Sequence, residues 1–302
     1  MQGTDLWHAV DFHRKISEFG PDPRVTLLNL PTAYWEELDR EWANAPELVP
    51  NNQPRLVIVG GDVMSPEGLN LWRQTSINSV RLLNAYGPTE ATITATAFEL
   101  TPRLCENTTF QRIPIGRTLA SREIYILDKY GNPVPVGVPG ELYIGGVGLA
   151  RGYLNRPELT AEKFIPNPFS DEPGARLYKT GDLARYLPGG IIEFLGRVDH
   201  QAKIRGFRIE VGEIEAVLGQ HTAVREAVVM AEEDAPGEKR LVAYAVAERE
   251  SCPTTNDLRS FLEEKLPEYM LPAAFVLLDA LPLTPTGKVD RPGTAGVGSI
   301  QA

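Results

Sequence analysis

The chain has 302 residues, 42 % hydrophobic and 23 % charged, with a formal net charge of -10. That length and balance suit about two globular domains of roughly 150 residues each and argue against disorder. The acidic balance also lacks the clustered Lys and Arg that a nucleic acid or an anionic membrane face would require.

In chain order, the opening "MQGTDLWHAVDFHRK" has no apolar core of signal-peptide length. No later run approaches the roughly 18 apolar residues of a membrane span, so the expected location is cytoplasmic. "VTLLNLPTAYWEELDREWA" reads as a short buried strand, a proline and a helix; "RLVIVGGDVMSPEGLNLWRQ" reads as a strand closed by Gly60 and Gly61, then another helix. "SVRLLNAYG" supplies the next strand. Residues 1–105 therefore read as an α/β piece with a parallel sheet, whose ligands sit beyond the carboxyl ends of strands. The Gly60-Gly61 pair and the break at Tyr86–Glu90 both fall at such ends.

Residues 106–198 change to short strands punctuated by Gly and Pro, as in "REIYILDKYGNPVPVGVPGELYIGG", which predicts a β-rich subdomain. From 199 to 291 the rhythm is that of a small α+β domain. "GEIEAVLGQ" is a helix, "REAVVMAEED" and "KRLVAYAVAERE" are strands, "NDLRSFLEEKL" is a helix stopped by Pro267, and "AAFVLLDAL" is a last strand. The tail, residues 292–302, is expected to be disordered. Cys105 and Cys252 are the only cysteines and no metal-ligand spacing surrounds them, so neither a disulfide framework nor a zinc site is expected.

Two stretches invite a nucleotide reading. "GGVGLARGY" is rich in glycine, but Gly146, Gly148 and Gly152 miss the dinucleotide spacing and do not open a helix, which favours tight turns. In "YKTGDLARYLPGG", an Asp exposed by a Gly turn between two strands could accept two hydroxyl hydrogen bonds, as a ribose offers; taken alone, the run favours an ordinary turn.

These stretches also occur in a fixed order. "NAYGPTE" at 84–90, "GELYIGGVGLARGYL" at 140–154, "YKTGDLARY" at 178–186, "GRVDHQAKIRGFRIEVGEIE" at 196–215, "LPEYMLP" at 266–272 and "PTGKVDR" at 285–291 resemble the successive core motifs of nonribosomal peptide synthetase adenylation domains. These belong to the adenylate-forming superfamily, which also holds acyl-CoA synthetases and luciferases. The resemblance runs from about residue 25 to 291. It implies the C-terminal part of the large adenylate-forming domain, at 1–198, followed by the small C-terminal domain.

What the resemblance implies for chemistry is attack of an amino-acid carboxylate on the α-phosphate of ATP, with aminoacyl-AMP and pyrophosphate as products. A phosphopantetheine thiol on a carrier domain then takes the acyl group. Tyr86 would lie against adenine beside Phe194, which stands where relatives commonly have Tyr, and the Gly60-Gly61 turn would border the nucleotide. Asp182 would bind the ribose, Arg197 the ribose or phosphate, Thr89 would face the α-phosphate, and Glu90 would hold Mg²⁺. Lys288 would be the catalytic lysine. Asp199 would be the hinge, with Gly206 and Arg208 bordering the pantetheine tunnel; a turn cap is the bland reading of Asp199. Asn29, Ile58, Gly60, Ala85, Ile93 and Thr94 would line a mixed pocket suited to a small or medium side chain, or would simply be core.

The sequence contains no Gly- and Ser/Thr-rich loop ending in Pro-Lys-Gly, and no segment resembling the one that binds the substrate amino group. The expectation is a truncated domain, inactive alone, that is either a truncated copy or a fragment whose front half another chain supplies. An acyl- or aryl-CoA ligase fragment and a non-catalytic docking module stay open as alternatives.

Overall fold

The structure, a computed structural model, describes residues 9–18, 26–49, 54–101, 103–104, 110–199, 201–204, 207–235, 238–248, 251, 253–284 and 289–294. The chain divides into two compact units, Met1–Val198 and Asp199–Ala302.

The first unit begins with α1 (Ala9–Glu18), β1 (Leu27–Pro31), α2 (Thr32–Asn44), β2 (Leu56–Gly60), α3 (Pro66–Trp72) and β3 (Arg81–Tyr86). β1, β2 and β3 pair in parallel, with Asn29 opposite Ile58 and Gly60 opposite Ala85. Side chains alternate across a strand, so Leu28, Leu30, Val57, Val59 and Leu82 share one face. That face forms one core with Trp35, Leu38 and Trp42 of α2 and Leu69 and Trp72 of α3. The reading of the first hundred residues as parallel is corrected beyond Tyr86. β4 (Thr96–Leu100) returns antiparallel to β3, and β5 (Arg117–Thr118) pairs antiparallel with β4. A parallel return takes a crossover of about a dozen residues or more, and the connection from Tyr86 to Thr96 is too short for one.

A second sheet is antiparallel throughout. It holds β6 (Arg122–Leu127), β7 (Gly140–Gly146), β9 (Arg176–Leu187) and β10 (Ile191–Arg197) in the order β10-β9-β7-β6, with β8 (Phe164–Pro166) beside β9 after the short helix α4 (Pro157–Lys163). Its core side chains, among them Ile126, Leu142, Ile144, Ala184 and Ile192, pack with Ala91 and Ala95 from the β3–β4 connection. The break after Tyr86 is therefore pressed onto the second sheet. Asp182 is also corrected. It lies within β9, which runs unbroken from Arg176 to Leu187, instead of on a turn between two strands. Gly181, at φ 74°, supplies the local kink without ending the strand.

The second unit contains β11 (Ala202–Ile204), β12 (Phe207–Ile209), α5 (Val211–Leu218), β13 (Val224–Ala235), β14 (Glu238–Ala247), α6 (Thr255–Glu263), β15 (Ala274–Leu278) and α7 (Arg291–Thr294). β14 pairs antiparallel with β13 and parallel with β15. One face of this sheet packs with Ile214, Leu218, Leu258 and Leu262 from the helices, while Val242, Tyr244 and Val276 build a core on the other. α6 starts at a capping box between Thr254 and Asp257 and stops at Glu263, before the expected proline. The expected disorder of the tail is corrected for its first residues. Arg291–Thr294 is a helical turn, with Thr294 buried and its hydroxyl donating to the Asp290 carbonyl at 2.7 Å; residues 295–302 lie outside the described ones.

One core residue carries an electrostatic penalty. Asp39 of α2 is 0 % exposed, and neither carboxyl oxygen has a hydrogen-bond partner among the described residues. Burial, with the nearby Glu36 charge, pushes its pKa from 3.8 up to about 9. An acid whose folded pKa is raised destabilises the fold once the unfolded chain ionises. The stability of the first unit should therefore fall as pH climbs from 3.8 to about 9. In urea unfolding, Asp39→Asn should flatten that slope and add on the order of 2–4 kcal/mol at pH 7. An unchanged slope in the variant would show that Asp39 does not titrate across this range.

Candidate active site

The strand end at Tyr86 meets β9 and β10 through one carboxylate. Asp182 and Arg197 face each other in register, and the Arg197 guanidinium donates to Asp182 Oδ1 at 2.6 Å and to the Thr180 carbonyl at 3.1 Å. The Tyr86 hydroxyl donates to Asp182 Oδ2. Asp182 is only 5 % exposed, and a buried carboxylate of this kind requires such donors. Burial first, and then the Asp182 charge and hydrogen bond, hold the Tyr86 hydroxyl well above its ordinary pKa, so it stays protonated as a donor. Thr180 fixes the strand beneath: its hydroxyl donates to the Leu142 carbonyl at 2.6 Å and accepts the Asp182 N–H at 2.9 Å. The Phe194 ring lies 6.3 Å from that of Tyr86, tilted by 36°. Tyr86, Asp182, Phe194 and Arg197 thus form one cluster.

After Tyr86 the backbone reverses tightly. Thr89–Ala91 forms a 3-10 turn, Ile93 N–H donates to the Pro88 carbonyl at 3.2 Å, and Ala95 N–H returns to the Tyr86 carbonyl at 2.8 Å. Gly87 is required by space: a Cβ there would lie 2.4 Å from the Ile93 carbonyl oxygen and 2.7 Å from Ala95 N. Thr92 and Ile93 hold φ of 56° and 67°, in the left-handed region that β-branched residues avoid. Such strain clusters at functional sites. Thr89 is exposed at the start of the turn. Glu90 receives hydroxyl hydrogen bonds from Tyr153 at 2.7 Å and Tyr178 at 2.8 Å, both on Oε1.

The other assigned positions are more scattered. Gly60 abuts Ala85, whose carbonyl oxygen would lie 2.6 Å from an added Cβ, and Gly61 takes φ 93°. Asn29, Ile58, Gly60 and Ala85 occupy the sheet face opposite the packed core. Ile93 is 71 % exposed and Thr94 is half-buried. In the second unit, Asp199 Oδ1 accepts the Gln201 N–H at 3.2 Å, and Arg208 donates to Gln201 Oε1 at 2.6 Å. Lys288 and Gly206 lie outside the described residues. Tyr153, Tyr178 and Thr180 were not singled out from sequence. They stand within the "ARGYL" and "YKTGD" runs, but their convergence joins segments that only the fold brings together.

Known proteins share the sequence pattern and the fold. The family model for the AMP-binding enzyme matches residues 12–154, and that for the AMP-binding enzyme C-terminal domain matches residues 213–288. The chain belongs to the AMP-binding enzyme family. It is similar to a linear gramicidin synthase of Brevibacillus parabrevis, 54 % identical over 237 residues that cover 78 % of this chain and 3 % of that protein. A chondramide synthase of Chondromyces crocatus is 53 % identical over 252 residues, covering 82 % and 6 % respectively. Among solved structures, holo-PA1221, an NRPS protein containing adenylation and PCP domains, matches with a TM-score of 0.78 at 27 % identity, over 96 % of this chain and 47 % of that one. An artificially fused adenylation-PCP di-domain from Klebsiella oxytoca matches with a TM-score of 0.71 at 29 % identity, over 90 % and 47 %. This chain therefore spans a small part of the curated synthases it matches and about half of those solved chains.

The reversal after Tyr86 should depend on the absence of a side chain at residue 87. Gly87→Ala should lower the stability of the first unit by about 1–3 kcal/mol, because the obstacles to the new methyl are backbone atoms. Denaturant unfolding of the two proteins side by side checks this; equal midpoints would mean that the turn can widen at no cost.

Proposed function

We propose that this chain supplies the nucleotide-holding part of an amino-acid adenylating site. The observation that carries the reading is the cluster of half-buried Tyr86, Arg197 and Phe194 around the buried Asp182, at the carboxyl end of β3, four residues before Glu90. A carboxylate with hydroxyl and guanidinium partners is chemically ready to exchange them for the two hydroxyls of a ribose, with aromatic rings at hand for the base. Asp182 would hold the ribose, Tyr86 and Phe194 the adenine along the Gly60-Gly61 turn, and Arg197 the ribose or phosphate.

The reaction is attack of an amino-acid carboxylate oxygen on the α-phosphorus of ATP, breaking the bond to the bridging oxygen and releasing pyrophosphate. A carboxylate is ionised at neutral pH, so the step needs positioning and positive charge instead of a general base. Thr89, exposed at the head of its turn, would face the α-phosphate. Lys288 would provide the cation that follows charge onto the reacting oxygens. Glu90 suits a magnesium ion, whose role is to neutralise phosphate charge. Among the described residues no three Asp, Glu, His or Cys side chains cluster. An ion at Glu90 would thus draw its other ligands from phosphates and water, as magnesium commonly does. The acyl group would pass to a phosphopantetheine thiol on a carrier domain. Asp199 would act as the hinge for that half-reaction, with Gly206 and Arg208 beside the thiol. Asn29, Ile58, Gly60, Ala85, Ile93 and Thr94 would form the side-chain pocket, whose polar members Asn29 and Thr94 suit a small or medium amino acid.

Amino-acid-dependent pyrophosphate exchange tests this, with the chain alone and with a segment bearing the phosphate loop supplied. Exchange is expected with that segment, and coenzyme A should not replace the carrier thiol as acceptor. Lys288→Ala should depress exchange by about a hundredfold or more while nucleotide binding stays near the parent level. Asp182→Ala should mainly weaken ATP binding, because ribose contacts are alike in ground and transition states. Equal effects of both changes on binding and on rate would overturn the division of roles.

A further inference from the structure

The glycine-rich stretch 146–154 is not used by the nucleotide reading, yet it is built tightly around Glu90. Ala150 N–H donates to the Glu90 carbonyl at 2.8 Å, and the Thr92 hydroxyl donates to the Gly148 carbonyl at 2.6 Å, so the stretch is tied to the Glu90 turn at two points. Its glycines pack closely on other neighbours. A Cβ on Gly148 would fall 1.9 Å from the Arg122 guanidinium carbon, and Gly152 sits at φ 147° against Thr160. The Thr160 hydroxyl then accepts the Tyr153 N–H at 2.9 Å, which sets where the Tyr153 ring begins.

From that base Tyr153 reaches Glu90 Oε1 at 2.7 Å, and Tyr178 of β9 reaches the same oxygen at 2.8 Å. The Phe164 ring packs against both phenols, with centroids 5.7 Å and 5.1 Å away, and Tyr178 is only 1 % exposed. Two packed phenols donating to one oxygen fix the plane of the carboxylate. Being neutral, the phenols bring no positive charge of their own to it.

We propose that Tyr153 and Tyr178 are positioning residues that clamp the Glu90 carboxylate for a divalent cation, and that the glycine-rich stretch exists to seat this clamp. The proposal rests on the metal-binding reading of Glu90. Outer partners that orient a metal-binding carboxylate typically contribute about 10–100-fold to metal affinity.

The test uses the whole 302-residue chain and Mn²⁺ as the probe, in the presence of ATP, with free Mn²⁺ followed by electron paramagnetic resonance. Tyr153→Phe and Tyr178→Phe keep the rings against Phe164 and remove only the hydroxyls; circular dichroism should show parent-like folding. Each change should weaken Mn²⁺ binding by about 3–10-fold and the pair by about 10–100-fold, while AMP binding without metal stays unchanged. Glu90→Gln separates the two levels of the reading. If the parent binds Mn²⁺ no more tightly than Glu90→Gln, the metal role falls, and the clamp with it. If Glu90→Gln weakens binding while the double Phe variant retains parent affinity, the clamp alone is overturned.

Discussion

The first unit is organised around a carboxylate that burial would make costly. Asp182 sits in the middle strand region of the antiparallel sheet, and its two oxygens are engaged from two other strands, by Tyr86 at the end of β3 and Arg197 at the end of β10. Removing either donor would leave a buried charge under-solvated, a penalty of several kcal/mol. The cluster thereby joins the two sheets at the strand end where a nucleotide is proposed to bind. A carboxylate can accept about four hydrogen bonds, so a ribose proposed to bind there would either add its hydroxyls to these two partners or replace them.

The reversal at 87–95 carries a comparable tension in its backbone. Two adjacent β-branched residues, Thr92 and Ile93, are held left-handed, at about 1–3 kcal/mol each. They persist because the turn is over-determined. Ala91 and Ala95 are buried in the second core, Gly87 closes the inner side, and Gly148 and Ala150 bind the outer side. The consequence is a fixed orientation for Glu90 and Thr89. A relaxed loop would have to reorganise at the moment charge develops on a phosphate, which weakens electrostatic stabilisation.

Much of this architecture is legible in the residues themselves. The succession of short apolar strands and helices, with Pro31 and the Gly60-Gly61 pair closing the strands, announces parallel strands with an open end. The ordered motifs identify the family, because "NAYGPTE" and its successors constrain many positions at once. What local pattern does not carry is pairing across distance. Nothing between residues 82 and 100 distinguishes a crossover from an antiparallel return except length. The "TGD" run reads as a turn because glycine usually ends a strand, whereas here the flanking β7 and β10 pairings hold β9 through it. The tyrosines on Glu90 are invisible for the same reason: a phenol within a glycine-rich run has no periodic signature, and its partner lies 63 residues away.

The second unit applies the same device, a carboxylate shared by several donors, to its own chain end. Glu215 of α5 accepts the Arg291 guanidinium through both oxygens, at 2.8 and 3.0 Å, and also the Val229 N–H of β13 at 2.8 Å. Arg291 returns a hydrogen bond to the Val229 carbonyl at 3.0 Å. Leu283 and Val289 pair as an isolated bridge, and Asp290 N–H donates to the Pro282 carbonyl at 2.8 Å. The residues that flank Lys288 in the chain are therefore tied to each other and, through Arg291, to a packed sheet. A bidentate, charge-assisted pair of this kind holds the described segment 289–294 against the sheet.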